Sequence, residues 1–284
     1  MKKGIILLFL MTTMLGRYAG AQTWNGSVNN DWNTAANWTP ALVPTAASNV
    51  VIPGSVASAN WPAFAGDATI NSVNMQEGSQ LNVNGFALTL TSVGAYNYFT
   101  GAILNNSNGA TDIVINVSTG GGGYVTYFRS NTVNDAIVFN ITGSNSFIEG
   151  NAGPSNQYNG NASFIINDAL PVYISNSSPS QFNGNLTVTR TVAGATSMFN
   201  AGGTITGNYA YTNNFGGGTG IGIAGITTNI GGSVSITVNN PAPAVFEMYR
   251  LVNQTTGGTI SVQNSIGFVV RYDTLLVTSM SITG

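Results

Sequence analysis

The chain has 284 residues, of which seven are basic and nine acidic, with no histidine and no cysteine. These counts remove Ser-His-Asp and Cys-His catalysis, disulfides and the usual His/Cys zinc sites. The acidic balance gives nucleic acid no electrostatic footing, and an apolar share of 43% is that of a folded chain rather than a disordered one.

Lys2-Lys3, the apolar run Ile5 to Met11 and the small-residue site Ala19-Gly20-Ala21 read in order as a secretory signal peptide over residues 1–21, cleaved after Ala21. The mature chain is then expected to be secreted or held at the cell surface. Seven basic residues less Lys2, Lys3 and Arg17 leave four arginines against nine carboxylates, a net charge of −5. No other stretch reaches the ~20 apolar residues that a membrane-spanning helix needs.

Residues 22–47 differ from the rest of the chain. Trp24, Trp32 and Trp38 fall within fifteen positions, with Pro40 and Pro44 behind them. Stacked repeats need an atypical terminal unit over the open end of their core, so this segment is expected to be an N-terminal cap. The alternative is that Trp24, Trp32 and Trp38 form an exposed platform that stacks on sugar rings.

From residue 48 to 284 short alternating strands succeed one another. Asn84-Gly85, between Gln80–Val83 and Phe86–Leu90, is either a hairpin turn or a corner; its recurrence at Asn108-Gly109, Asn159-Gly160 and Asn183-Gly184 favours the corner. Gln157 to Asn161 (QYNGN) returns 24 positions later as Gln181 to Asn185 (QFNGN). Anchored on Gly109, Asp135, Gly160, Gly184, Gly207, Gly232 and Gly258, the spacing stays between 23 and 26 residues. Four residues past each anchor stand Ile113, Phe139, Phe164, Val188, Tyr211, Ile236 and Val262, which are expected to stack as one interior column. A second apolar group about ten residues later in each period completes an all-β, right-handed parallel β-helix of roughly nine coils, on the order of 40 to 45 Å long at ~4.8 Å per coil. Asn and Thr at equivalent positions can form hydrogen-bonded ladders.

Trp24-Asn25-Gly26, Asp31-Trp32, Asn37-Trp38 and the run Val43 to Pro53 resemble the start of large secreted proteins of Bacteroidetes-type bacteria, and Ala68 to Thr91 and Phe182 to Val188 resemble their coils. The resemblance implies a β-helical, adhesin-like surface protein, exported in that group through the type IX system by a C-terminal sorting domain. Ser281 to Gly284 read instead as another repeat strand, so the chain is expected to be a fragment of a longer product. Its last coil is expected to expose a strand edge suited to end-to-end self-association.

The densest charge cluster is C-terminal. Equal offsets from Gly232 and Gly258 would set Glu247 and Asp273 one coil apart, beside Arg271. They read as a surface ion patch or as the weak beginnings of a polysaccharide lyase or glycosidase site, which needs paired carboxyl groups. Tyr96, Tyr98, Phe99, Tyr124, Tyr127 and Phe128 form either core or an exposed sugar-binding stripe. Thr89-Leu90-Thr91 and Thr187-Val188-Thr189 do not repeat through every coil and suggest no ice-binding face. No metal or cofactor is expected. The sequence thus predicts an exported, non-enzymatic structural or adhesin-like protein whose partners are glycans or other cell-surface components. The alternatives are a polysaccharide-active enzyme or a carbohydrate-binding module.

Overall fold

In the computed structural model the described residues are 21–56, 59–118, 125–143, 146–214, 219–222, 226–238, 245–248, 251–253, 259–263, 267–270 and 279–283, the last five stretches as strand backbones only. They form sheets of twelve, ten and eight strands, wound into a β-solenoid of about eight turns with about 24 residues each, where the sequence suggested nine. Each full turn gives one strand to each sheet. Ala162–Asp168 belongs to the ten-stranded sheet, Val172–Ile174 to the twelve-stranded and Ser180–Phe182 to the eight-stranded. The helical content among the described residues is one 3-10 turn, Ala35–Asn37.

The core is a set of columns, because parallel in-register pairing puts like positions of successive turns side by side. Ile115, Phe139, Phe164, Val188, Tyr211 and Ile236 pair in one column and are completely buried; the backbone register carries it on to Val262. The expected column therefore holds from Phe139 onward. Ile113 is a correction: it pairs with Ile137, two residues down the strand, and Ile115 takes the place opposite Phe139. A slip of two keeps a strand residue on the same face, so Ile113 is buried all the same. Aromatic rungs stack along the axis, with Phe139 and Phe164 4.9 Å apart at 17° and Tyr158 and Phe182 4.5 Å apart at 8°.

Asn84-Gly85 is a corner. It joins Gln80–Asn82 of the eight-stranded sheet to Ala87–Leu90 of the ten-stranded one, with φ of 50° and 85°. The later anchors use glycine for another reason, since Gly160, Gly184, Gly207 and Gly232 do not have left-handed φ. Each instead lies against the turn before it. A Cβ on Gly160 would sit 2.3 Å from the Ala136 nitrogen, and one on Gly184, Gly207 or Gly232 would sit 2.7 to 2.8 Å from the preceding glycine's carbonyl oxygen.

Amide ladders run along the rod beside these corners. Asn134 donates from Nδ2 to Asn105 Oδ1 at 2.8 Å, Asn159 to Asn134 at 2.9 Å and Asn183 to Asn159 at 2.9 Å. A second ladder uses backbone donors: Asn185 N to Asn161 Oδ1, Asn208 N to Asn185 Oδ1 and Ser233 N to Asn208 Oδ1.

The N-terminal end is closed by the tryptophan-rich segment. Gln22–Trp24 pairs parallel with Asn49–Ile52 on one side and antiparallel with Trp38–Thr39 on the other, so the strand direction reverses at the end of the twelve-stranded sheet. Trp24, Trp32, Trp38 and Phe64 meet edge to face, at 4.9 Å for Trp24–Trp38, 4.7 Å for Trp32–Trp38 and 4.9 Å for Trp32–Phe64. Two of the three indole N–H groups are satisfied by carbonyls: Trp38 Nε1 donates to that of Trp32 and Trp24 Nε1 to that of Asn60, each at 2.8 Å.

Candidate functional site

Burial removes the alternative reading of a sugar platform. Trp24, Trp32 and Trp38 are 1%, 3% and 1% exposed, so their faces belong to the core. Of the C-terminal pair, Glu247 lies in register between Gly220 and Val269, while Asp273 and Arg271 fall outside the described residues. The aromatic stripe divides by the pleat: Phe99 and Phe128 are in the core, Tyr98 and Tyr127 face outward with Tyr96 beside them, and Tyr124 is outside the described residues.

A groove of about 670 Å³ lies where the cap meets the eight-stranded sheet. Alternation along Gln80–Asn82 and Ile103–Asn105 buries Leu81 and Leu104 and turns Gln80, Asn82 and Asn105 outward. Val28–Asn30 from the cap, with Ala59–Trp61 and Ala63 that follow it in the chain, complete the lining. Trp61, the fourth tryptophan, packs on the core while staying partly exposed. Nothing in the sequence singles it out, because it stands apart from the other three.

The amides of this groove are held in fixed orientations. Asn29 accepts through Oδ1 from Asp31 N at 3.0 Å and from Asn37 Nδ2 at 2.7 Å; Asn105 accepts through Oδ1 from Asn134. Asn60 donates through Nδ2 to the Gly26 carbonyl at 3.0 Å. The Nδ2 groups of Asn29 and Asn105 and the Oδ1 of Asn60 make no bond among the described residues, which leaves oriented donors and an acceptor for a ligand.

Several ionisable groups are sealed in the rod, among them Glu149, Tyr158 and Arg190. Glu149 occupies an inward position in register with Phe128 and is completely buried. It accepts from Asn156 Nδ2, Ser175 N and Ser180 Oγ, each at 2.5 Å, and from the Tyr158 hydroxyl at 3.2 Å. Burial raises its pKa, and these four donors oppose that shift. Burial, reinforced by the Glu149 charge, pushes Tyr158 well above the ordinary phenol value. The Arg190 guanidinium is wrapped by the carbonyls of Asp168, Val192 and Ala195 and the Thr196 hydroxyl; burial lowers its pKa against the pull of Tyr211 and Asp168. With no solvent access, these groups tie adjacent turns together rather than meet a ligand. Among the described residues no three His, Cys, Asp or Glu side chains gather as a metal site, and no helix is long and apolar enough to cross a membrane.

Residues 23–144, which hold the cap and the first coils, match a family described as a domain of unknown function, DUF8693. Neither the curated proteins nor the solved structures give a match.

Proposed function

We propose that this chain is an exported, non-enzymatic, adhesin-like protein that works outside the cell by presenting the faces of a rigid rod to glycans. The groove beside Trp61 carries this reading. Its lining is an indole, small apolar side chains and six amides, from Asn29, Asn30, Asn60, Gln80, Asn82 and Asn105. Amides offer paired donors and acceptors to vicinal hydroxyls, and an indole offers an apolar face to the C–H side of a pyranose. Neither group exchanges protons near neutral pH, so the chemistry is that of holding a sugar. The leader over residues 1–21 supports export, because cleavage after Ala21 leaves the first strand, Gln22–Trp24, intact. Amide ladders along the rod suit repeated weak contacts that add up. The resemblance to secreted Bacteroidetes-type surface proteins, with type IX export of a longer product, belongs to the same proposal.

A glycan array on the purified mature chain, run with a hydrolase and lyase screen, tests it. Binding without turnover is the expected result. Turnover of a polyuronate that disappears in Asp273→Ala would replace this function with an enzymatic one.

A further inference from the structure

On the outer face of the twelve-stranded sheet, two columns of side chains run next to each other. Register sets Asn74, Tyr98 and Tyr127 in one, and pairs Thr100 with Arg129 in the other. Gln76 and Glu77 come directly after the strand that carries Asn74. Equivalent side chains of adjacent turns are about 4.8 Å apart, so a short one among long ones leaves a pit. Thr100 is the short one. Gln76 and Glu77, Arg129, and Tyr98 rise around it, and the recess has a volume of about 360 Å³.

Its walls are braced. Tyr98 stacks on Tyr127, with centroids 5.4 Å apart at 9°, and Tyr96 leans on both at 6.1 and 6.5 Å. The register neighbour of Tyr98 on the other side is the shorter Asn74, which leaves the phenol ring to line the pit. Arg129 donates from Nε to Thr100 Oγ1 at 3.2 Å, so the guanidinium is set beside the floor.

We infer that this recess is a second saccharide subsite, taking one neutral pyranose unit of the same glycan that lies in the Trp61 groove. The inference rests on the glycan-contact function and adds a position to it. Tyr98 supplies a rigid apolar face at low entropic cost. Asn74, Gln76, Glu77 and Arg129 supply amide, carboxylate and guanidinium partners for ring hydroxyls. One carboxylate opposite one guanidinium leaves the lining without net charge, so a neutral sugar is matched and an acidic one meets Glu77. The recess also lies close to the groove. Gln76 and Glu77 line one and Gln80 the other, across a corner of four residues that spans at most about 14 Å of backbone.

Affinity electrophoresis of the mature chain in gels containing soluble β-glucan, mannan, xylan or galactan tests this, with polygalacturonate as the acidic comparison. Wild type should be retarded by a neutral polymer. Tyr98→Ala, and Thr100→Gln, which fills the pit, should each weaken retardation by about tenfold, the scale of one lost aromatic contact. Tyr98→Phe should bind like wild type. So should Tyr173→Ala, which lies further along the same outward column. Unchanged unfolding midpoints would show that the variants fold. If Trp61→Ala weakens retardation while Tyr98→Ala and Thr100→Gln leave it intact, the recess is not a subsite and glycan contact survives. If none of the five polymers retards wild type, both proposals fall; retardation by polygalacturonate alone overturns the neutral ligand class of the recess and leaves glycan contact standing.

Discussion

A Cβ placed on Gly184 would lie 2.7 Å from the carbonyl oxygen of Gly160, one turn earlier. Gly207 N in turn donates to the Gly184 carbonyl at 3.1 Å, and Gly232 N to the Gly207 carbonyl at 2.9 Å. The glycine column is therefore a seam of touching backbones, and its period records how closely the turns approach.

This seam separates two glycines that occupy equivalent places in the repeat. Gly184→Ala should destabilise the rod by about 1–3 kcal/mol, the usual cost of overpacking, because backbone must move. Gly109 has nothing within 4 Å of its missing Cβ and no left-handed φ. Gly109→Ala should be neutral or stabilise by up to about 1 kcal/mol through the unfolded chain. Denaturant midpoints of the two variants decide it; equal losses would mean that the seam does not set the period.

Glu149 gives the rod a pH dependence of defined sign. Its folded pKa is raised above the ordinary value of 4.5, with burial as the largest cause. Between 4.5 and the raised value, the folded chain holds a proton that the unfolded chain has released, so stability falls as pH rises through that window. Glu149→Gln cannot titrate. Its amide sets an NH₂ group against a donor, a cost of about 1–3 kcal/mol that is constant with pH. The stability advantage of wild type over Glu149→Gln should therefore be greatest below pH 4.5 and shrink above it. An advantage that grows with pH would mean that the four donors outweigh burial.

Two asparagines three residues apart separate buried from exposed rungs. Asn156 is buried; its Oδ1 accepts from Asn131 N at 2.8 Å, and its Nδ2 donates to the Phe128 carbonyl at 3.0 Å and to Glu149. Asn159 makes its two ladder bonds on the exposed face. Asn156→Ala should cost about 2–4 kcal/mol, since it strands several buried partners, and Asn159→Ala less than about 1 kcal/mol, since water replaces its bonds. Comparable losses in urea unfolding would show that the outer ladder carries structural weight of its own.

The fold was legible in the sequence because a solenoid writes its geometry into spacing. Phe139, Phe164, Val188, Tyr211 and Ile236 recur at one coil length, and that is the column found. Ile113 was displaced by two because Gly109, its anchor, makes no seam contact and so marks no fixed point. The site was less legible. Tyr98-Phe99 and Tyr127-Phe128 form one aromatic run in sequence, and only the pleat divides them into surface and core. The three clustered tryptophans offered two readings, cap and platform; the open end of a solenoid buries whatever covers it, and the isolated Trp61 is the one left partly at the surface.

That contrast between tryptophans supplies the test of the groove. Trp32 touches Trp38 and Phe64 edge to face and is 3% exposed. Trp32→Ala should cost about 3–5 kcal/mol, as for any large aromatic removed from a core. Its backbone N–H also holds the carbonyl of Ala63, which lines the groove, at 3.0 Å. Its binding loss should therefore track its loss of fold. Trp61 leans on the core with part of its ring outside, so Trp61→Ala should cost about 1–2 kcal/mol, in line with partial burial. It should nonetheless weaken glycan binding about tenfold, because the apolar face of the groove is gone. Unfolding midpoints and glycan affinities measured on both variants separate the two roles. Wild-type affinity in Trp61→Ala, together with lost affinity in a Trp32→Ala chain that is still folded, would move the binding surface off this groove and onto another part of the cap.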